Sequence, residues 1–315
     1  MAINIQDLVK DYNNGVRALD RLNLKVDKGQ IFSLLGPNGA GKSSLINILT
    51  TYYKATSGNI IILGKDLSKE PNWVRKQISC VRQRVSIDEH LSLKENMIFQ
   101  SRLYKIDSQV SKERIESLIK TFNLSKYLKY PTTSYSGGVK RRLDVAMNMV
   151  SMPKILFLDE PTVGMDVYSR RAMWKMLLRI REEYETTIFL TTHYLEEAEQ
   201  LSDTICIMKE GKKLTQGTPS SLRNIIRPNM ISITFSSDNK TKKCKDTLDK
   251  TSLVNFTTIR GNSVFAGVDN SELAFMVLNK WLLNNNIEFN GIEIVKPSLE
   301  DVFLALTSSK SSREE

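Results

Sequence analysis

Residues Gly36-Pro37-Asn38-Gly39-Ala40-Gly41-Lys42-Ser43 fit the pattern G-x-x-x-x-G-K-[ST]. The run before them, Ile31-Phe32-Ser33-Leu34-Leu35, is short and nearly all apolar, as in a buried parallel strand. The run after them, Ser44-Leu45-Ile46-Asn47-Ile48-Leu49, continues as a helix. Strand, glycine loop and helix in this order limit the fold more than any other stretch of the chain. The loop N–H groups and the positive end of the helix make a nest for phosphate oxygens. Lys42 then supplies a fixed charge for the β- and γ-phosphates, and the Ser43 hydroxyl a ligand for Mg²⁺.

A second signal lies at Asp159-Glu160, which follow the apolar strand Ile155-Leu156-Phe157-Leu158. The carboxyl end of a strand in an α/β sheet faces the ligand crevice. Neighbouring strand residues point to opposite faces, so the two acids need different tasks. Asp159 suits Mg²⁺ through its water shell, and Glu160 suits accepting a proton from an attacking water. Upstream of these acids, Ser136-Gly137-Gly138 opens a helix and offers a second phosphate-binding helix end.

The remaining pattern gives an α/β fold with a mostly parallel central sheet. Ile3 to Val9 and Leu22 to Val26 alternate as N-terminal antiparallel strands, and Ile60 to Leu63 reads as another strand. Residues 86 to about 150 form a strand-poor helical insertion, with Ile115, Leu118, Ile119 and Phe122 on one helix face. Strand and helix then alternate through Arg170–Arg181, Thr187–Thr191, Leu195–Gln200 and Thr204–Met208. Arg227-Pro228-Asn229 marks a boundary between a domain of residues 1–227 and one of residues 228–315. The second reads as a small α+β domain. It has a strand at Ile231–Phe235, a polar Lys-rich connection, a strand near Ser263–Val268, a helix over Glu272–Leu283 and a strand over Ile287–Val295. It carries no catalytic constellation, and Lys310–Glu315 reads as a frayed tail.

Composition removes several classes. Cys80, Cys206 and Cys244 are far apart and odd in number, so they suggest neither a disulfide framework nor a thiolate metal site. His90 and His193 cannot build a metal cluster by themselves. No apolar run approaches the ~18–20 residues of a spanning helix, and Met1–Lys10 lacks the features of a signal peptide. A cytosolic location is therefore expected. The net charge of +10 resides in residues 1–227, since residues 228–315 carry ten basic and eleven acidic side chains. Such a basic body is compatible with anionic lipid or nucleic acid, but its charges are scattered rather than blocked, as on a solvated surface serving a polyphosphate ligand.

In this order and spacing the motifs resemble those of ABC-type ATPases, the nucleotide-binding subunits of ABC transporters, over about residues 3–225. The resemblance implies ATP and Mg²⁺ as ligands. ATP would be held by Gly36, Asn38, Gly39, Ala40, Gly41, Lys42, Ser43 and Ser44, with Tyr12 stacked on adenine. Mg²⁺ would be held by Ser43, Gln83 and Asp159. Gln83 resembles the glutamine that contacts the metal or the lytic water where the transport partner docks. His193 resembles the switch histidine that keeps Glu160 and water in line. Tyr135-Ser136-Gly137-Gly138-Val139 resembles the signature motif, whose Ser136 and Gly138 would bind the γ-phosphate of ATP on a second subunit. Val163-Gly164-Met165-Asp166 resembles the loop that touches the opposite site. The chain departs from the usual pattern at Tyr135 (Leu), Val139 (Gln) and Met165 (Leu).

Pro297-Ser298-Leu299-Glu300-Asp301-Val302-Phe303 further resembles the terminal motif of drug-resistance-type exporter ATPases, similar to daunorubicin exporters. It also reads as a capped amphipathic helix. The resemblance implies a homodimer, or a heterodimer with a related ATPase, closing on two ATP. The dimer would drive a separate membrane permease that exports a drug-like, antibiotic or lipid substrate, placing the chain peripherally on the cytoplasmic face of the membrane. Nucleic acid is not expected as a direct partner. The rival reading is a non-transport ABC ATPase acting on nucleic acid or the ribosome. One phosphate loop and no sustained heptads weigh against it.

Overall fold

The structure, a computed structural model, describes residues 1–225, 230–295 and 298–308. It divides into two compact units between Thr218 and Pro219. The boundary expected at Arg227-Pro228-Asn229, Pro297 of the terminal motif, and the tail Lys310–Glu315 lie outside the described residues.

The first unit begins with β1 (Ile3–Asp11) and β2 (Arg17–Val26), an antiparallel pair, then β3 (Ile31–Leu35) and α1 (Lys42–Leu49). β4 (Ser57–Ile62), β5 (Lys65–Asp66), α2 (Pro71–Arg75) and β6 (Ile78–Val81) follow. Strands β2-β1-β4-β5 form one antiparallel sheet. Between β6 and the next strand the chain is helical: α3 (Leu93–Leu103), α4 (Ser108–Thr121), two short 3₁₀ turns and α5 (Gly137–Met149). α3 starts at a capping box, Ser92 with Glu95, and α4 at the Asp107 cap. The sheet resumes with β7 (Ile155–Asp159), α6 (Val167–Tyr184), β8 (Thr187–Thr192), α7 (Leu195–Leu201), β9 (Thr204–Lys209) and β10 (Lys212–Gly217).

The second sheet runs β10-β9-β3-β8-β7-β6. All its neighbours are parallel except β9 and β10. β3 lies inside this sheet with every residue buried, which is why Ile31–Leu35 shows no alternation. The carboxyl ends of β3, β7 and β8 therefore lie side by side. They deliver the glycine loop, Asp159-Glu160 and the segment before His193 to one edge. Two buried clusters fix this arrangement. One joins Phe32, Phe157 and Phe189 to α1 and the antiparallel sheet, and the other joins the helical segment to Leu156, Leu158 and α6.

The second unit contains α8 (Pro219–Arg223), β11 (Met230–Thr234), α9 (Asp238–Leu248), β12 (Phe256–Arg260), β13 (Ser263–Gly267), α10 (Ser271–Asn284), β14 (Gly291–Val295) and α11 (Leu299–Ser308). The order β12-β13-β11-β14 with βαββαβ connectivity is the split-βαβ arrangement. The sequence reading of a polar Lys-rich connection here is corrected: residues 238–248 form α9. Lys240, Lys242 and Lys243 are exposed, and Thr241, Cys244 and Leu248 supply a narrow buried stripe. The last strand is also shorter than expected, starting at Gly291 rather than Ile287. Ser298 and Asp301 cap α11 reciprocally. The Ser298 N–H donates to Asp301 Oδ2 at 2.8 Å, the Asp301 N–H to Ser298 Oγ at 3.3 Å, and Leu299 and Val302 are buried.

Candidate functional site

A cleft of about 830 Å³ opens at the carboxyl edge of the parallel sheet, lined by Tyr12, Asn38, Gly39, Ala40, Gly41, Lys42, Ser43, Ser44, Gln83, Glu160 and His193, with a few neighbours. Eight of these named residues come from the first 44 positions. Gln83, Glu160 and His193 arrive from the exits of β6, β7 and β8.

The loop shape depends on close approach at Gly41. Its φ is 99°, and a Cβ there would collide with the Ala18 carbonyl oxygen. Gly41 is also the N-cap of α1, and no side chain caps that helix. The N–H groups of its first turn are left to face the cleft. Lys42 is 5% exposed, with Nζ donating to the carbonyls of Gly36 at 2.7 Å and Pro37 at 3.1 Å. Burial pushes its pKa down, and the Glu160 and Asp159 carboxylates oppose that shift. A buried cation with two carbonyl partners and one nearby carboxylate retains room for anionic ligand oxygens.

Glu160 does not continue β7. Its φ is 46°, left-handed for a residue with a Cβ. The conformation is held by β8: the Glu160 N–H is shared between the Thr191 carbonyl at 3.2 Å and the Thr191 hydroxyl at 3.1 Å. That hydroxyl donates in turn to Asp159 Oδ1 at 2.6 Å. Thr191 thus separates the two acids into different environments, a role that no sequence pattern announced. The turned-out Glu160 places Oε1 at 3.7 Å from Lys42 Nζ and 3.3 Å from His193 Nδ1.

Tyr12 stands over the glycine loop, its hydroxyl 3.0 Å from Ser44 Oγ and its ring edge-on to Tyr53 at 5.9 Å between centroids. Ser43 is exposed at the helix start. Among the described residues no three His, Cys, Asp or Glu side chains gather as a metal cage. Ser43 and Gln83 line the cleft, whereas Asp159 is held beside Glu160 by the Thr191 hydroxyl.

Ser136, Gly138 and Asp166 do not line this cleft. Ser136 is exposed at the N-cap of α5 without making a side-chain cap bond. Asp166 caps α6, accepting from the Ser169 N–H at 2.9 Å and the Ser169 hydroxyl at 2.6 Å. These bonds hold its pKa below the usual carboxylate range. Gly138 packs against the same residue: a Cβ there would lie 2.6 Å from Ser169 Oγ. The two departures in the signature motif also find physical reasons. The Tyr135 hydroxyl donates to the carbonyls of Tyr127 at 2.7 Å and Tyr130 at 3.2 Å, and Val139 is buried in the helical core.

Two buried polar groups escaped the sequence reading. Glu197 on α7 is fully buried, and its Oε1 accepts from Thr162 Oγ1 at 2.8 Å and Trp174 Nε1 at 3.1 Å. It joins the segment after His193 to the segment before Asp166, and burial pushes its pKa up. Arg141 on α5 is the second. Arg141 lies between Lys140 and Arg142 and Glu197 follows Glu196, so neither stood out locally from a solvated charge.

Comparison with known proteins adds lineage to this geometry. The family model described as ABC transporter matches residues 19–163. The daunorubicin/doxorubicin resistance ATP-binding protein of Streptomyces peucetius is 36% identical over 310 residues, covering 97% of this chain and 92% of that protein. The Nod factor export ATP-binding protein I of Rhizobium sp. (strain N33) is 34% identical over 222 residues, covering 70% and 72%. A solved structure from Clostridium perfringens, described as part of the ABC transporter complex cbiONQ, superposes with a TM-score of 0.67 at 28% identity, covering 72% of this chain and 93% of that one.

Proposed function

This chain belongs to the ATP-binding proteins of ABC transporters, and we propose that it hydrolyses ATP between two cassettes to power export through a separate membrane permease. The observation that carries the reading is the convergence of Lys42 and His193 on one oxygen of Glu160 at the floor of the cleft. Among the described residues no helix is long and apolar enough to cross a membrane, so on this reading the translocation path belongs to the permease. The cargo class follows the daunorubicin-resistance and Nod-factor-export relatives: a drug-like, antibiotic or lipid molecule.

Each site residue has one task. The loop from Gly36 to Ser44 and the open end of α1 bind the phosphates, and Tyr12 stacks on the base. Lys42 balances charge on the β- and γ-phosphates. Mg²⁺, when bound by Ser43, Gln83 and Asp159, supplies charge neutralisation along the phosphate chain. Glu160 accepts the proton of the attacking water at Oε1, and His193 orients that carboxylate and the γ-phosphate. Ser136 and Gly138, which do not line their own cleft, complete the site of a second copy, and Asp166 lies on the same dimer surface. The second domain, residues 228–315 in the sequence reading, is an accessory, dimerisation or regulatory module.

The test is expression of the chain with its candidate permease in a drug-sensitive host. ATP-dependent efflux and recovery of the chain in the membrane fraction only when the permease is present support the reading. Efflux that persists with Glu160→Gln would remove it.

A further inference from the structure

Arg141 and Asp144 lie one helical turn apart on α5, the helix headed by Ser136, and both are almost wholly buried. Arg141 donates to three backbone carbonyls from two distant segments: Nη2 to Asp159 at 3.1 Å, Nε to Pro161 at 3.1 Å, and Nη1 to Arg82. Two of those carbonyls flank Glu160, and the third immediately precedes Gln83. Nη1 also lies 3.4 Å from Asp144 Oδ2, and Asp144 Oδ1 accepts from the Ser86 hydroxyl at 2.5 Å. The segment carrying Gln83 is therefore gripped on both sides, at Arg82 and at Ser86. The segment carrying Glu160 is gripped at Asp159 and Pro161. One ion pair brackets two site residues 77 positions apart in the chain.

Structural economy alone does not account for this arrangement. A buried ion pair contributes little net stability against an apolar pair of similar volume. Burial pushes Arg141 down and Asp144 up in pKa, while each opposes the shift in the other, so neither is free to lose its partner. What the pair adds is directional: a planar fork aimed at three carbonyls at once, which an ammonium group cannot reproduce.

We propose that Arg141 is a positioning residue for ATP hydrolysis, fixing the spacing of Gln83 and Glu160 from the helix that presents Ser136, with Asp144 and Ser86 completing the grip. The inference deepens the ATPase reading above and rests on it. It places the hydrolytic geometry of one cleft under control of the helix that serves the neighbouring copy. Displacement of α5 then reaches both the Gln83 and the Glu160 segments through a single side chain.

The test uses the full chain and steady-state ATP hydrolysis. Arg141→Lys keeps the charge beside Asp144 but cannot span three carbonyls. Its kcat is expected to fall at least tenfold, within the roughly 10²-fold cost of an ångström-scale misplacement, while KM for ATP stays within about threefold. Ser86→Ala leaves the buried Asp144 with Arg141 as its remaining partner, and is expected to lower kcat by about threefold with only a small fall in melting temperature. Combining Arg141→Lys with Gln83→Ala should cost less than the product of the two single effects, because both act through one segment. A folded Arg141→Lys chain with wild-type kcat overturns the proposal. So do independent, multiplying effects in the double variant, which would indicate a structural role only. A wild-type chain whose hydrolysis is insensitive to Glu160→Gln would instead remove the underlying ATPase reading, and is told apart by that control.

Discussion

His193 Nδ1 lies 3.3 Å from Glu160 Oε1, although 33 residues and the whole of α6 and β8 separate them in the chain. The contact exists because β7 and β8 are parallel neighbours and Glu160 turns out of its strand at a left-handed φ. The same oxygen is 3.7 Å from Lys42 Nζ. One carboxylate oxygen is thus shared between the residue proposed to bind phosphate and the residue proposed to sense it.

Glu160→Gln keeps the size and hydrogen-bonding reach of the side chain but removes its basicity. We expect kcat to fall by roughly 10²–10⁴, the range for a lost general base, while ATP affinity is retained. ATP should then trap a dimer, read as a shift in gel-filtration volume. Undiminished turnover in this variant excludes Glu160 as the base.

Tyr12 can be split into ring and hydroxyl. Tyr12→Ala should weaken ATP binding roughly ten- to a hundredfold, as expected for ~1–3 kcal/mol of base stacking. Tyr12→Phe loses only the bond to Ser44 and should remain within about threefold of the wild type. Calorimetric titration with ATP measures both. Equal losses in the two variants would assign the effect to the hydroxyl.

Gly138→Ala forces a methyl group against Ser169, where the Cβ would lie 2.6 Å from Oγ and 2.7 Å from Cβ. Overpacking of this kind costs ~1–3 kcal/mol, so the melting temperature should fall by several degrees. Ser169→Gly in the same chain should restore part of that loss. Turnover should stay low in the double variant, because Ser169→Gly also removes the hydroxyl bonded to Asp166 on the proposed dimer surface. Recovery of both stability and turnover would reduce Gly138 to a packing residue.

Glu197 makes stability depend on pH. Burial raises its folded-state pKa above the ordinary glutamate value, so the folded chain holds a proton there that the unfolded chain has released. Its contribution is fully present below about pH 4.3, the unfolded value, and is lost as pH rises through the folded pKa. Glu197→Gln keeps an acceptor for Thr162 and Trp174 without a titrating proton. Its melting temperature should exceed that of the wild type near neutral pH, and the difference should vanish on acidification. A constant difference at all pH values would exclude Glu197 as the titrating group.

The phosphate loop, Asp159-Glu160 and the alternation of strands and helices were all legible from residue order, because each depends on neighbours within about ten positions. A glycine loop between an apolar strand and a helix has few other foldings available. Ser136-Gly137-Gly138 was legible as a helix-opening turn, but Gln83, Asp166 and His193 became legible only as a set, through family resemblance, since each alone has no local signature. α9 was missed because lysines outnumber its buried residues, so its stripe is too narrow for a period to emerge.

The sequence by itself determined which groups the cleft could contain: a lysine and hydroxyl at a helix start, two acids at a strand end, a histidine after the next strand. Tertiary structure decided how they are held. Thr191 turning Glu160 outward, Glu197 joining Thr162 to Trp174, and Arg141 bracketing Gln83 and Glu160 are contacts between segments tens of residues apart. Their strength comes from burial, which forces each polar group to find a partner wherever the fold supplies one. Neither spacing nor composition encodes that partner, because the sheet's strand order, not the chain order, sets which segments are neighbours.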